Sequence, residues 1–356
     1  MKPYLFLIFT LYVLCSSLHA QNRPQEPKPP FDYEIEEVSF RNEKDNIQLA
    51  GTLTYPKSGG PFPALILISG SGAQDRNSEL LGHKPFWVMA DYFTKKGIAV
   101  LRVDDRGTGQ TEGNYNQTGL DGFVRDTESA IAFLKGHSKI DSKNIGLLGH
   151  SLGGTIAPVI ASRDKDISYI ILLAGPVMRG DKLMLKQKAL IETQMGVAES
   201  QVTAGQSQMT GAYEIMFAKK DDPEELKTEL KAYFKEIYGE VVPESQLNSI
   251  AEQLTIPWLA DFIRHDPAPY LEKLNCPVLA LYAEKDLQVP PKENLAVIET
   301  YLLPHNSNVE THVMNGMNHL FQNCETGLPQ EYAAIEESIS PEVLALLSGW
   351  ITKQNK

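Results

Sequence analysis

Short, continuous apolar runs alternate along most of the chain with longer stretches of helical spacing. Residues 64–68 and 169–173 are apolar at every position, which is typical of strands buried on both faces of a sheet. In residues 85–96 the apolar positions recur three and four apart, as on one face of a helix, and Gly97 follows as a terminator. The alternation predicts a mostly parallel sheet covered by helices.

The full pattern divides the chain into segments. Strands are predicted at 38–40, 47–55, 64–68, 98–103, 145–148, 169–173, 277–282 and 309–314, with the first two antiparallel. Helices are predicted at 85–96, 123–134 and 152–162, and from Pro341 onward with Ser340 as N-cap. Residues 181–270 have helical spacing and few β-branched runs, so we expect a helical cap there. Residues 33–180 and 271–356 would then form an α/β core.

The first residues have a different character. Lys2 precedes an apolar run, and small and polar residues lead to Ala20, so residues 1–20 resemble a secretory signal peptide. A membrane anchor is the alternative, but the run is shorter than the roughly 20 residues that a spanning helix needs. We therefore expect export to the periplasm or medium, cleavage near Ala20 and no membrane span in the mature chain. The four prolines of residues 21–32 predict a linker, with order beginning near Tyr33.

Composition excludes several classes of function. The formal net charge of -12 and the lack of a basic cluster argue against a nucleic-acid partner. Neither an H-E-x-x-H motif nor a dinucleotide fingerprint occurs, so we expect no metal and no cofactor. Cys276 and Cys324 lie toward opposite ends of the predicted sheet, and we expect both to be free thiols.

A serine lies where a predicted buried strand gives way to a predicted helix. Residues 149–153, GHSLG, match G-x-S-x-G, the pattern of a nucleophile elbow. Gly149 and Gly153 would remove clashes at a sharp turn, and the N–H of Leu152 would face an oxyanion from the N-terminus of the helix. A plain connecting turn is the alternative interpretation of the glycines.

A serine hydroxyl needs a base, and the base needs an orienting carboxylate. Asp286 follows the strand at 277–282 and is the preferred acid, with Glu284 and, after the preceding strand, Asp181 as weaker alternatives. His319 lies in a loop beyond the last strand, at the edge of the sheet where the base is required.

Three further features complete the candidate site. His305 precedes the last strand and His312 lies inside it, so neither is expected to act as the base. Ser71, in the loop after the third strand, is the candidate for a second backbone oxyanion donor, with Gly70 allowing close approach; a plain tight turn is the alternative. Residues 105–107, Asp-Arg-Gly, are expected to form an ion-paired turn that braces the elbow.

The motifs together resemble the α/β-hydrolase superfamily. Within it the chain is most similar to exported bacterial carboxylesterases of the EstD type, grouped with serine aminopeptidase-like hydrolases. The resemblance rests on ordered motifs that span most of the mature chain: SGSGAQDRN, GHKPFWVMADYFTKKGIAVLRVDDRGTG, IGLLGHSLGGTIAP, LALYAEKDLQVPPKENL and MNHLFQ. It implies a triad of Ser151, Asp286 and His319, oxyanion donors at Ser71 and Leu152, and a helical cap. Ser69 departs from the superfamily, where many members carry a histidine before the glycine.

These observations predict a serine esterase that acts on small acyl esters through an acyl-enzyme. An aminopeptidase or a thioesterase would use the same triad, and a noncatalytic binding protein could keep the same fold. The aromatic residues of the cap are expected either to line a substrate pocket or to form the core of the cap: Trp258, Phe262, Tyr213, Tyr233 and Tyr238.

Overall fold

The structure is a computed structural model that describes residues 22–239 and 241–355. Its strands are β1 Tyr33–Asn42, β2 Ile47–Pro56, β3 Phe62–Ile68, β4 Ala99–Val103, β5 Ile140–His150, β6 Tyr169–Leu173, β7 Val278–Ala283 and β8 Val309–Met314. Its α-helices are α1 Pro85–Thr94, α2 Leu120–Gly136, α3 Gly153–Arg163, α4 Gly180–Gln194, α5 Glu199–Ala218, α6 Pro223–Tyr238, α7 Glu244–Leu254, α8 Pro257–Arg264, α9 Ala268–Leu271, α10 Pro291–Val297 and α11 Pro341–Gln354.

The strands form one sheet in the order β1-β2-β4-β3-β5-β6-β7-β8. The pairs β1–β2 and β2–β4 are antiparallel, and every later pair is parallel. The expectation of a mostly parallel sheet flanked by helices is confirmed. Because β3 to β8 run in one direction, their carboxyl ends meet at a single edge of the sheet.

Both faces of the sheet are covered by helices. Leu65 of β3 belongs to a buried cluster with Phe93 of α1 and Trp350 of α11. The next residue, Ile66, faces the other side, where it lines a small cavity of about 50 Å³ together with Ile156 of α3. Burial on both faces explains why the central strands are apolar at every position.

Two compact units can be distinguished. The hydrolase unit consists of residues 22–115, 121–178 and 267–355, and it contains the whole sheet. The helical unit consists of residues 116–120 and 179–266 and contains α4 to α8. The helical unit thus differs from the cap expected at residues 181–270: it begins at residue 179, ends at residue 266 and includes the short segment 116–120, which the spacing of apolar residues does not indicate.

The helical unit has its own core. In α6, residues 226, 230, 234 and 238 recur every fourth position and are all buried, so one stripe of the helix faces inward. Asp222 caps this helix, because its side chain accepts a hydrogen bond from the Glu225 N–H at 2.9 Å. Phe234 packs there with Met216, Leu247 and Ile263 from the neighbouring helices.

The segment that precedes β1 corrects one expectation. Residues 22–32 contain no helix or strand, as their prolines predict, but the segment is not a free linker and order does not begin at Tyr33. The guanidinium of Arg23 donates to the carbonyl oxygens of Leu81 at 2.9 Å and Ala333 at 3.0 Å. Gln25 Nε2 donates to the Ile339 carbonyl at 2.7 Å. These bonds hold the segment against the rest of the hydrolase unit.

Two predictions concern the cysteines and the amino-terminal residues. Cys276 and Cys324 are both free thiols in the described part of the chain, as expected. The predicted signal peptide, residues 1–20, lies outside the described residues. Across residues 22–239 and 241–355, no helix has both the length and the apolar character that crossing a membrane requires.

We expect Gly146→Ala to destabilise the hydrolase unit. A Cβ at Gly146 of β5 would overlap the ring of Tyr169, which is completely buried. The substitution should lower the free energy of unfolding by about 1–3 kcal/mol, measured by urea denaturation.

Gly349→Ala in α11 is the matched control. A Cβ there meets open space, so removing a glycine from a helix interior should raise the free energy of unfolding by roughly 0.5–1 kcal/mol. An unchanged midpoint for Gly146→Ala would contradict the packing described here.

Candidate active site

Ser151 occupies a sharp turn between β5 and α3. Its φ is +51°, in the left-handed region that side chains other than glycine rarely adopt. Two backbone bonds stabilise this conformation: the Ser151 N–H donates to the Leu173 carbonyl at 3.1 Å, and its own carbonyl accepts from the Gly154 N–H at 2.8 Å. The turn has the strand–serine–helix arrangement of a nucleophile elbow.

The glycines around Ser151 are required by close contact of backbone with backbone. A Cβ at Gly149 would overlap the carbonyl group of Gly153, and a Cβ at Gly153 would overlap the Ile68 carbonyl of β3. Both predicted elbow glycines therefore lie where only a hydrogen fits. The close approach brings α3 against the end of β3 and directs the turn to the carboxyl edge of the sheet.

Three predicted side chains meet at this edge. His319 Nε2 lies 3.0 Å from Ser151 Oγ, and His319 Nδ1 lies 2.7 Å from Asp286 Oδ2. A carboxylate can only accept, so Nδ1 carries the proton and Nε2 is free to accept from the serine hydroxyl. His319 and Asp286 are both buried, with 4% and 2% of their surface exposed, so water competes little for these bonds.

The alternative carboxylates have other partners. Glu284 Oε2 accepts from the Gly316 N–H at 2.7 Å, while Asp181 Oδ1 pairs with Arg179 Nε at 2.6 Å. Of the three acids considered from sequence, Asp286 is the one that contacts His319.

The alternative histidines also lie as the sequence indicated. His312 Nε2 is within 2.6 Å of Glu310 Oε1 on the same strand, β8. His305 lies in the turn before β8 and donates its backbone N–H to the Leu302 carbonyl at 3.0 Å.

Local backbone bonds hold both Asp286 and the turn that carries His319. Asp286 Oδ1 accepts from the N–H groups of Gln288 at 2.8 Å and Val289 at 2.9 Å, which fixes the carboxylate after β7. Asn318 Oδ1 accepts from the N–H of Leu320 at 3.0 Å and closes the turn that carries the histidine. Sequence reasoning missed Asn318; its position immediately before His319, in a turn, was the available signal.

His150, the residue before Ser151, is a second contact that the sequence did not reveal. Its Nε2 lies 3.1 Å from the backbone carbonyl of His319, so Nε2 is the donor in this bond. Burial, helped by the nearby His319, lowers the pKa of His150 to about 4. His150 is therefore neutral at neutral pH and ties the serine turn to the histidine loop.

The loop after β3 lies directly against Ser151. A Cβ at Gly70 would be 3.3 Å from Ser151 Cβ, so the backbone of this loop approaches the serine closely. Ser71, the predicted second oxyanion donor, follows Gly70 and is exposed. Leu152 directly precedes α3, where the first N–H groups of a helix have no partner within the helix.

Asp105 holds both ends of this loop. Its Oδ1 accepts from Ser69 Oγ at 2.7 Å, and its Oδ2 accepts from the Gln74 N–H at 2.9 Å. Burial raises the pKa of Asp105 to about 7 despite these two bonds. Ser69, the departure from the superfamily pattern, thus fixes the loop through its hydroxyl.

The rest of the expected ion-paired turn is also present. Arg106 pairs with Asp126, at 2.5 Å, and with Asp45, and Gly107 has a φ of +74°. The turn was expected to brace the elbow, but Asp105 bonds to the loop after β3, so it is this loop that the turn stabilises. Within the described residues, no group of three histidine, cysteine or carboxylate side chains is placed to hold a metal ion.

Fold and site together define an α/β-hydrolase, and comparison with known proteins agrees. The esterase EstD of Thermotoga maritima is 26% identical over 324 residues, which cover 90% of this chain and 70% of that protein. The α/β-hydrolase GrgF from Penicillium has a similar structure, with a TM-score of 0.56 at 17% identity over 90% of this chain and 98% of that one. The esterase Pf2001 of Pyrococcus furiosus gives 0.53 at 16% identity over 90% and 93% of the two chains.

A family model assigns the chain to one family within the α/β-hydrolase superfamily. The model of the S15 peptidase family, described as X-Pro dipeptidyl-peptidase, matches residues 45–302. This protein belongs to the S15 peptidase family and is a hydrolase of the α/β-hydrolase superfamily.

We expect the ionisation of Asp105 to lower stability as the pH rises. The pKa of this carboxyl group is about 7 in the folded protein and 3.8 ordinarily. Between about pH 4 and 7 the group is therefore protonated to a greater extent in the folded state than in the unfolded state. Its contribution to the free energy of unfolding therefore falls through that window. The free energy of unfolding of Asp105→Asn, measured by urea denaturation, should rise relative to that of the wild type by about 1–2 kcal/mol between pH 5 and pH 8. A difference between the two proteins that stays constant with pH would refute the raised pKa.

Proposed function

We propose that this protein is a serine carboxylesterase that cleaves acyl esters of small molecules through an acyl-enzyme. The supporting observation is the continuous set of hydrogen bonds from Ser151 Oγ through the His319 ring to Asp286, with distances of 3.0 and 2.7 Å. Each bond has the direction that proton transfer from the serine requires.

In the first half of the reaction Ser151 Oγ attacks the acyl carbonyl carbon. The new O–C bond forms as the hydroxyl proton passes to His319 Nε2, and the carbonyl electron pair moves onto its oxygen. Asp286 stabilises the resulting imidazolium through Nδ1–H. When the tetrahedral intermediate collapses, the C–O bond to the alcohol breaks, and His319 returns the proton to the leaving oxygen.

In the second half, water replaces the alcohol. His319 takes a proton from the water, the hydroxide adds to the acyl carbon, and Ser151 leaves with the proton that His319 returns. The N–H groups of Leu152 and Ser71 are proposed to stabilise the oxyanion in both halves, at the N-terminus of α3 and beside the contact of Gly70 with Ser151.

A peptidase is the second candidate, and family membership favours it. The matching family model is described as X-Pro dipeptidyl-peptidase, and amide cleavage would use the same serine, histidine and aspartate. Export through residues 1–20 is part of both proposals, as is the absence of a required metal or cofactor.

We expect Ser151→Ala to abolish hydrolysis of p-nitrophenyl acetate. Loss of the nucleophile should reduce kcat by roughly 10³-fold or more, because only oxyanion stabilisation and binding remain. Ser142→Ala, at an exposed position in the same strand, is the matched control and should leave kcat unchanged. A fluorophosphonate probe should label the wild type and the control but not Ser151→Ala.

Undiminished hydrolysis by the folded Ser151→Ala protein would rule out the proposed nucleophile. Failure of the wild type both to hydrolyse the ester and to react with the probe would favour a noncatalytic binding protein.

The ester and peptide proposals differ in the expected order of substrates. For a carboxylesterase, kcat/KM should be higher for p-nitrophenyl butyrate than for an alanyl-prolyl p-nitroanilide, which releases a chromophore of the same size from an amide. The reverse order would identify a dipeptidyl-peptidase. An acyl thioester of the same chain length tests thioesterase activity in the same assay.

A further inference from the structure

One edge of the sheet is formed by a strand that has a single neighbour. In the part of the chain that the structure describes, β8 is the last strand in the sheet order and pairs with β7 alone. The Val278 N–H donates to the Asn308 carbonyl at 2.9 Å, where the two strands begin to pair. The Glu284 N–H donates to the Met314 carbonyl at 2.9 Å, where they end. The even-numbered residues of β8 therefore direct their backbone groups toward β7.

The odd-numbered residues of β8 direct their backbone groups outward. These residues are Val309, Thr311 and Val313, and no other segment within residues 22–239 and 241–355 bonds to their outward N–H and C=O groups. Thr311 is exposed, and Val313 is 38% exposed although it is apolar. We call this outward side of the strand the β8 edge. A row of unpaired backbone groups of this kind is a template for a further strand.

The opposite edge of the sheet differs in its charges. β1 carries three glutamates, Glu34, Glu36 and Glu37, and charged side chains along an edge oppose the pairing of further strands. β8 carries one acid and one base, Glu310 and His312, separated by an uncharged residue. A second copy of this chain is therefore better accommodated at the β8 edge than at β1.

The sequence of β8 is complementary to itself when two copies run antiparallel. Outward residues must oppose outward residues, so a two-fold axis at Thr311 places Thr311 opposite its own copy. Val309 then lies opposite Val313 of the second copy. Glu310 lies opposite His312 of the second copy, in a pair that shares no backbone hydrogen bonds. In such pairs the Cα atoms are about 4.5 Å apart and the side chains are closest.

Glu310 and His312 suit this contact. Both project from the same face of β8, and within one chain Glu310 Oε1 lies 2.6 Å from His312 Nε2. Their side chains are 45% and 37% exposed, so a second copy can reach them. In the paired strands each carboxylate lies beside two imidazoles and each imidazole beside two carboxylates. Cross-strand pairs of unlike groups stabilise a sheet.

Other registers lose this match. The smallest shift that keeps outward residues opposed is two residues. In one direction it places Glu310 opposite Glu310 of the second copy, and like charges directly opposite are destabilising. In the other direction it places His312 opposite itself and Glu310 opposite the apolar Met314. The side chains of β8 therefore favour the register centred on Thr311.

We propose that the β8 edge is a dimer interface, at which a second copy of this chain adds its own β8 antiparallel in the register centred on Thr311. The two eight-stranded sheets become continuous across the axis. The proposal concerns association alone and is measured without turnover, so it can fail independently of the proposed esterase activity.

The first test measures the mass of the wild-type protein by sedimentation velocity between about 1 and 200 μM. The dimer fraction should rise with concentration, with a dissociation constant on the order of 10 μM, because one pair of strands buries less surface than a standard interface. A monomer throughout this range would overturn the proposal.

Two charge variants test the register. His312→Glu makes both charged positions acidic, and Glu310→Lys with His312→Lys makes both basic. Each variant alone should self-associate at least about tenfold more weakly than the wild type, because like charges then oppose each other. An equimolar mixture should form a dimer at least as readily as the wild type, since each acid then lies opposite an ammonium group.

Glu43→Lys is the matched control. Glu43 is exposed in the turn after β1, at the opposite edge of the sheet, so this change should leave the dissociation constant of the dimer unchanged. Wild-type association in either charge variant alone would overturn the proposal. So would a mixture that remains as monomeric as its components.

A second pair of variants tests the backbone contact. Thr311→Pro removes the outward N–H at the axis, which β8 does not use within its own sheet, whereas Thr311→Val keeps it. Thr311→Pro should weaken association at least about tenfold, and Thr311→Val should retain it. Equal association of the two variants would place the interface elsewhere. The charge variants, which change only exposed side chains, decide the proposal if Thr311→Pro does not fold.

Discussion

The contact of α3 with the end of β3 is the constraint on which the candidate site depends. Backbone meets backbone there, with no space for a Cβ at Gly153, and a Cβ at Gly149 would in turn overlap the Gly153 carbonyl. The chain makes both contacts by turning sharply at Ser151. The left-handed conformation of Ser151 is unfavourable for a side chain that bears a Cβ, by roughly 1–3 kcal/mol. Backbone bonds to Leu173 and Gly154 offset that cost and fix the direction of the hydroxyl.

The sheet then brings distant parts of the sequence to this serine. Asp286 follows β7 and His319 follows β8, and the carboxyl ends of these parallel strands lie at the same edge as the end of β5. The partners need only short loops, which their own backbone bonds hold rigid. A side chain placed by such loops loses little conformational entropy when it forms its hydrogen bond.

Sequence patterns predicted the fold and the three meeting side chains because both depend on short-range rules. Short apolar runs predict strands, and a serine flanked by glycines between a strand and a helix predicts a sharp turn. The contacts of His150 and Asp105 could not be predicted in this way. Each bonds to a segment far along the chain, the loop of His319 or the loop after β3, and such pairings follow from packing rather than from spacing. The burial of the ion pair between Lys188 and Glu192 could not be predicted in this way either, because pairs four residues apart are common on exposed helix surfaces and this one is buried by packing.

The bonds of Arg23 and Gln25 join the start of the described chain to residues close to its last helix. Four backbone carbonyls, of Leu81, Ala333, Ile335 and Ile339, receive these donors, and the last three belong to the segment that leads into α11. In a shortened protein that starts at β1, water would have to replace Arg23 and Gln25 as the donor to these carbonyls, and the segment before α11 would lose these contacts. The packed part of the protein therefore begins upstream of its first strand, close to the point where we expect the leader peptide to be removed.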